Sequence, residues 1–227
     1  RNGWLVADGK VLVGSRIATP WWRGGARPAD LAAQAGSPAI TRFVPGRSGP
    51  GATDQLEYVV AHMRERGIIA FEQHYGLWYD RRRDDHQRVR RMTGDVWPPF
   101  YEQPFARCGR GSGYDGLSLY DLSTYSLWYF ARVARFARLC ADGGRVLINH
   151  HYFQHNVLEA GAHYADFPWR TANNINNTGF PEPPNYAGDK RVFMAEQFYD
   201  LSDSARRALH RAYIRHTLDQ LAGGSVI

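Results

Sequence analysis

Ile68-Ile69-Ala70-Phe71-Glu72-Gln73-His74-Tyr75 is the stretch on which the reading of this chain turns. A short apolar run rich in β-branched and aromatic residues predicts a buried strand, and it leads straight into carboxylate, amide and imidazole side chains. Before it, Leu56, Val59, Val60 and Met63 recur on one helical face, with Thr53 as a candidate N-cap and Gly67 as the stop. The same order returns further on. An amphipathic helix is predicted over residues 118–140, closed by Gly143-Gly144, and then Val146-Leu147-Ile148 opens into Asn149-His150-His151-Tyr152-Phe153-Gln154-His155-Asn156. A third helix is expected over residues 202–221, followed by Gly223-Gly224 and an apolar Ser225-Val226-Ile227 that reads as the start of another strand.

Strands alternating with helices imply an α/β fold with parallel strands. The helix-to-strand turns are short and closed by glycine, whereas the strand-to-helix connections are long and polar. That asymmetry predicts a partial (β/α)8 TIM-type barrel, whose chemistry sits on its βα loops. A doubly wound sheet shares the alternation, but no Gly-x-Gly-x-x-Gly follows any strand, which counts against a dinucleotide fold. Outward from this frame, residues 4–13 hold two apolar runs about Asp8-Gly9, a hairpin signal, and residues 38–44 read as a further strand. The expected organisation is a hairpin and entry segment at 1–25, then the first βα units of a barrel at 26–227. The terminal apolar run gives the expectation of a segment cut from a longer chain, equivalent to the N-terminal half of the barrel. Such a piece, expressed alone, is expected to be poorly soluble or molten, because its last strand would keep an open edge.

A hydrophobic content of 44% over 227 residues is enough for a packed core, and no run approaches the roughly 20 apolar residues of a membrane span. The net charge of +6 rests almost wholly on arginine, since lysine occurs only at Lys10 and Lys190. The densest basic stretch, Arg81-Arg82-Arg83, is interleaved with Asp80, Asp84 and Asp85. Those carboxylates would repel phosphate, so mutually paired surface charges are expected and no nucleic-acid partner. Cys108 and Cys140 form no metal-binding or redox spacing.

Alternation in the strand at 68–73 puts Glu72 and His74 on one face and Ile69, Phe71 and Gln73 on the other. With the bulky apolar set against helices, Glu72 and His74 would lie inside, near the mouth. A buried carboxylate needs a partner or a function. Arg42 is the natural partner, which leaves either a structural Arg42–Glu72 ion pair or a catalytic carboxylate. In the later strand Leu147, Asn149 and His151 share a face. His150, His151 and His155 raise the question of a metal, and His151 and His155 are four apart, but they follow a strand and lack the His-Glu-x-x-His order, so no metal site and no cofactor is expected. No Gly-x-Ser-x-Gly elbow is present. Trp21, Trp22, Trp78, Trp97 and Trp169 fall in or beside predicted loops, where flat aromatic faces suit sugar rings.

Several long motifs carry a resemblance. They are Phe71-Glu72-Gln73-His74-Tyr75-Gly76-Leu77-Trp78-Tyr79-Asp80, Pro99-Phe100-Tyr101-Glu102, Tyr152-Phe153-Gln154-His155-Asn156, Asp166-Phe167-Pro168-Trp169-Arg170 and Gly188-Asp189-Lys190-Arg191. Over most of its length the chain resembles an uncharacterised bacterial family, of the domain-of-unknown-function type, with a glycoside-hydrolase-like barrel. The resemblance implies that a strand following this segment would bring a further acidic residue.

Together these readings predict a secreted or periplasmic carbohydrate-active enzyme, a glycoside hydrolase using paired carboxylates on an oligo- or polysaccharide. Glu72 is the expected catalytic carboxylate, with Glu159 or Asp166 as a candidate second. Arg47, His74, Tyr75, Trp78, Asn149, His151, Gln154, His155, Asn156 and Trp169 are expected to bind substrate. Arg47, Glu72, His74, Asn149, His151 and Trp169 should line one cleft, because the carboxyl ends of parallel strands gather at one end of a sheet. A non-catalytic carbohydrate-binding barrel, or a lyase or isomerase acting on uronic-acid sugars, are the alternatives.

Overall fold

The computed structural model describes residues 6–7, 9–18, 37–75, 99–151, 167–180, 200 and 202–222. At its centre is a parallel sheet of three strands, β3 (Ser15–Ala18), β5 (Ile68–Gln73) and β9 (Val146–Asn149), in the order β3-β5-β9. The central strand carries the apolar run that opened the sequence reading, and Ile68, Ala70 and Phe71 are buried on it. Burial of a strand on both faces is what a near-continuous apolar run encodes.

Strands β5 and β9 are each preceded by a helix. Helix α1 (Leu56–Glu65) buries Leu56, Val59, Val60 and Met63, the predicted face, and the chain turns at Gly67 with φ +63° into β5. Its N-cap is Gln55 rather than Thr53. The Thr53 hydroxyl donates instead to the Val44 carbonyl and accepts from the Val44 N–H, 3.1 and 2.9 Å away, tying off the preceding turn. Helix α2 (Leu127–Asp142) precedes β9 and buries Tyr129, Phe130, Val133 and Phe136. Phe136 meets Phe71 edge-on at 5.1 Å, which fixes the Ile69-Phe71-Gln73 face of β5 as the one packed on helices. Helix α3 (Ser204–Leu221) follows, capped by Asp203, whose side chain accepts from the Arg206 N–H. Its Tyr213 is fully buried among Tyr75, Phe105 and Tyr125.

The remaining strands form two-stranded antiparallel ladders: β1 (Val6–Ala7) with β2 (Lys10–Val11), β4 (Arg42–Phe43) with β6 (Phe100–Tyr101), and β7 (Phe105–Arg107) with β8 (Tyr120–Tyr125). The first is the hairpin expected about Asp8-Gly9.

The expected (β/α)8 TIM-type barrel is not what these residues build. The described fold is mixed α/β, with sheets of two or three strands and three helices, and neither a closed barrel nor an eightfold repeat is present among the described residues. Strand–helix alternation dictates parallel pairing of neighbours, but closure needs enough strands at a consistent shear, and local alternation does not encode that. Two further expectations change. The strand predicted at 38–44 is reduced to β4 and pairs with β6, outside the parallel sheet; its place beside β5 is taken by β3. The helix predicted from residue 118 begins only at Leu127, because Tyr120–Tyr125 pairs with Phe105–Arg107 as a strand and Ser126 is the N-cap. The Ser126 hydroxyl accepts from the Tyr129 N–H at 3.2 Å. Among the described residues no helix is long and apolar enough to cross a membrane. The Arg81-Arg82-Arg83 run lies outside the described residues.

Candidate functional site

Parallel pairing sets Gln73 opposite Asn149, and the His150 N–H donates to the Gln73 carbonyl at 3.0 Å, extending the ladder one step past β9. By the two-residue period of strands, that register brings His150 to the same side of the sheet as Glu72 and His74. The two imidazoles stack face to face, centroids 3.9 Å apart and planes 11° from parallel. Both direct Nε2 at one carboxylate oxygen: His150 Nε2 lies 2.9 Å and His74 Nε2 3.2 Å from Glu72 Oε1. The other oxygen, Oε2, is 3.0 Å from Arg16 Nη1 on β3. All three parallel strands thus contribute, two through their own residues and one through the residue that follows it. Glu72 and His74 are 8% and 9% exposed, while the side chains of His150 and Arg16 reach solvent. The centre is therefore seated in the protein but open on one side.

Burial by itself pushes the Glu72 carboxyl up, but His74, Arg16 and the hydrogen bonds from His74 and His150 outweigh it and hold the group below the usual glutamate value. His74 is shifted the other way for its charge: burial, then the neighbouring His150, lowers its pKa against the pull of Glu72. The arrangement favours an ionised carboxylate hydrogen-bonded by imidazoles, one of them biased toward its neutral form. Such a group can accept a proton, attack an electrophile or bind a cation.

Arg42, the partner expected for Glu72, is committed elsewhere. Its Nη2 lies 2.6 Å and its Nε 3.0 Å from Asp54 Oδ2, with both residues almost fully buried. The expected Arg42–Glu72 pair is replaced by Arg42–Asp54 and Arg16–Glu72, because Arg42 is on a strand outside the parallel sheet.

Among the other sequence-predicted residues, Glu72 and Asn149 do emerge at the same end of the sheet, but on opposite faces. Asn149 Oδ1 and His151 Nε2 are buried and have no hydrogen-bond partner among the described residues. The His151 ring packs 5.5 Å from Tyr213 of α3, on the helix side. Tyr75 is a core residue, packed on Phe105, Phe167 and Tyr213, with its hydroxyl donating to the His151 carbonyl at 3.4 Å. Trp169 is fully buried, stacked on His210 at 4.1 Å, so it offers no face to a ligand in this structure. Arg47 lies exposed in the turn after β4, its N–H donating to the Val44 carbonyl. Trp78, Gln154, His155, Asn156, Glu159 and Asp166 lie outside the described residues.

The side-chain amides of Asn173, Asn174 and Asn176 are largely taken up by backbone groups. The Asn173 Nδ2 group donates to the Phe167 carbonyl at 2.9 Å, and Asn174 Nδ2 donates to those of Pro168 and Arg170 at 3.0 and 2.8 Å. Asn176 Oδ1 accepts from the Leu122 N–H at 2.7 Å. These amides hold a tight turn against β8 and the Tyr114 loop.

Two members of the centre were not among the expected catalytic or substrate-binding residues. Arg16 was missed because Ser15-Arg16-Ile17-Ala18 is too short and polar to announce a strand. His150, weighed only as a metal candidate, was left out because alternation alone does not say which face of 146–151 turns from the helices; the register against β5 was the signal needed.

The family model described as Domain of unknown function (DUF6298) matches residues 1–227. The chain belongs to that family. Comparison with curated proteins and with solved structures returned no match. Membership in DUF6298 supports the uncharacterised-family part of the resemblance and leaves the chemistry to be argued from the Glu72 centre.

Proposed function

We propose that this domain carries the acid–base centre of an enzyme acting on a carbohydrate, with Glu72 as the working carboxylate. The observation that carries the reading is the geometry at Glu72: a nearly buried carboxylate at the carboxyl end of the central parallel strand, held ionised by two imidazoles and a guanidinium. An ionised carboxylate there is suited to act as base or nucleophile rather than as the proton donor. His150, beside it and reaching solvent, is placed to relay the proton. The amide- and aromatic-rich sequence after β5 and β9 supports a neutral, hydroxyl-rich substrate.

Arg16 favours a second reading within the same class. Its guanidinium is two-thirds exposed while one nitrogen holds Glu72, so it can meet a substrate carboxylate as well. Eliminative cleavage of a uronic-acid sugar needs a base at the ring proton and a cation on the carboxylate, and Glu72, the histidines and Arg16 supply those groups.

The test is product analysis on neutral and uronate polysaccharides with wild type and Glu72→Gln. Hydrolysis yields reducing ends alone; elimination also yields an unsaturated sugar absorbing in the near ultraviolet. Glu72→Gln is expected to lower either activity by about 100-fold or more. Unchanged turnover in that variant overturns the role given to Glu72, and saccharide binding without turnover in wild type favours a binding module.

A further inference from the structure

We propose that Glu72, His74 and His150 form a binding site for a first-row divalent transition cation, with Zn²⁺ as the probe. The inference shares its residues with the Glu72 centre described above and deepens that reading. One oxygen and two nitrogens, one from each residue, lie within 4.8 Å of one another. The two contacts that converge on Glu72 Oε1 measure 2.9 and 3.2 Å. Ligand atoms about 2.1 Å from a shared ion are separated by roughly 3.0 Å in octahedral and 3.4 Å in tetrahedral geometry. The two Glu72–imidazole spacings match edges of such a polyhedron, and the third separation, between the ring nitrogens, is within 4.8 Å.

Three further features suit this role. The parallel stack of His74 and His150 keeps both Nε2 atoms on the same side of the pair, facing the carboxylate. Arg16 holds Glu72 Oε2, which fixes the carboxylate rotamer and leaves Oε1 as a single-oxygen ligand. His150 reaches solvent, so the ion would keep open positions for water or substrate. Two imidazoles with one carboxylate select Zn²⁺, Mn²⁺, Fe²⁺ and their neighbours over Mg²⁺ and Ca²⁺, which prefer all-oxygen shells. In the resting site each Nε2 carries the proton it donates to Glu72; on binding, that proton passes by way of water to Nδ1, the ring stays neutral, and the Nε2 lone pair goes to the ion, so no oxidant is needed.

The experiment is calorimetric titration of the chain with Zn²⁺, without any sugar, followed by zinc-edge X-ray absorption of the loaded protein. One equivalent should bind, with imidazole outer-shell scattering in the absorption spectrum. His150→Ala and Glu72→Gln should each weaken that binding by about 100-fold or more, at least the effect of losing an outer-shell partner. His62→Ala, on α1 and outside the site, should leave it unchanged, and Mg²⁺ should not compete. Absence of uptake, uptake untouched by His150→Ala and Glu72→Gln, or a spectrum without imidazole scattering each overturns the proposal. Because the spectrum is read on wild type, a variant that fails to fold does not rescue it. A metal-free chain with Glu72-dependent saccharide turnover rejects this inference alone; zinc uptake with no such turnover rejects the enzymatic reading alone.

Discussion

His74 and His150 are 76 residues apart in sequence and lie face to face at 3.9 Å, both turned to the same oxygen of Glu72. The contact exists because β5 and β9 are parallel neighbours in a register that sets Gln73 against Asn149. A slip of one residue would send His150 to the helix side and break the centre.

Removal of His150 should therefore be felt at Glu72 before it is felt by the fold. His150 is partly exposed and gives one hydrogen bond to the carboxylate, so His150→Ala is expected to cost only about 1 kcal/mol of stability. That bond is among those holding the Glu72 pKa down. The variant should raise it, seen as an upward shift of the side-chain carboxyl titration by carbon NMR. An unmoved titration would show that His150 does not act on Glu72.

The buried and exposed ion pairs should separate sharply. Arg42→Ala leaves Asp54 almost fully enclosed without its main counter-charge, and burial already pushes that carboxyl up against the pull of Arg42. Loss of one partner of a buried pair costs about 3–5 kcal/mol. Arg135→Ala breaks the exposed pair with Glu57 and should cost less than about 1 kcal/mol. Denaturant midpoints decide, and equal losses would contradict the burial argument.

Acid should weaken the packing of α3. Burial against Trp169, with some help from Arg206, pushes the His210 pKa down to about 4. Its unfolded value is near 6.5, so the unfolded chain binds more protons between those two pH values. The contribution is complete above pH 6.5, falls as pH drops toward 4, and changes no further below that. The loss over the window is at most about 3 kcal/mol. Urea midpoints against pH should show this slope, and His210→Phe should flatten it; an identical slope in the variant would assign the acid sensitivity elsewhere.

Gly14 should resist substitution. A Cβ there would sit 2.5 Å from the Gly67 carbonyl oxygen, and its φ of +148° is itself unfavourable to other residues. This close approach lets the start of β3 run beside the turn that feeds β5. Gly14→Ala is expected to cost about 1–3 kcal/mol in thermal or denaturant unfolding, and to loosen Arg16 with it. A neutral substitution would mean that β3 docks less tightly than the structure has it.

The residues themselves settled much of the local structure. The apolar period of Leu56, Val59, Val60 and Met63 fixed α1, the run from Ile68 fixed β5, and the Asp8-Gly9 signal lay within the β1–β2 hairpin. Alternation along β5 also put Glu72 and His74 together, away from the helices, since Phe71 had to face α2. These are short-range matters of side-chain period and turn chemistry, which neighbouring residues decide. Pairing was another matter. Nothing local in Tyr120–Tyr125 announces that it joins Phe105–Arg107 rather than the helix after it, and nothing in Ser15–Ala18 shows that it borders β5. The commitment of Arg42 to Asp54, the burial of Trp169 and the arrival of His150 and Arg16 at Glu72 all depend on which distant strands meet and in what register. Register is fixed by the packing of whole faces against one another, so only the tertiary structure could decide it.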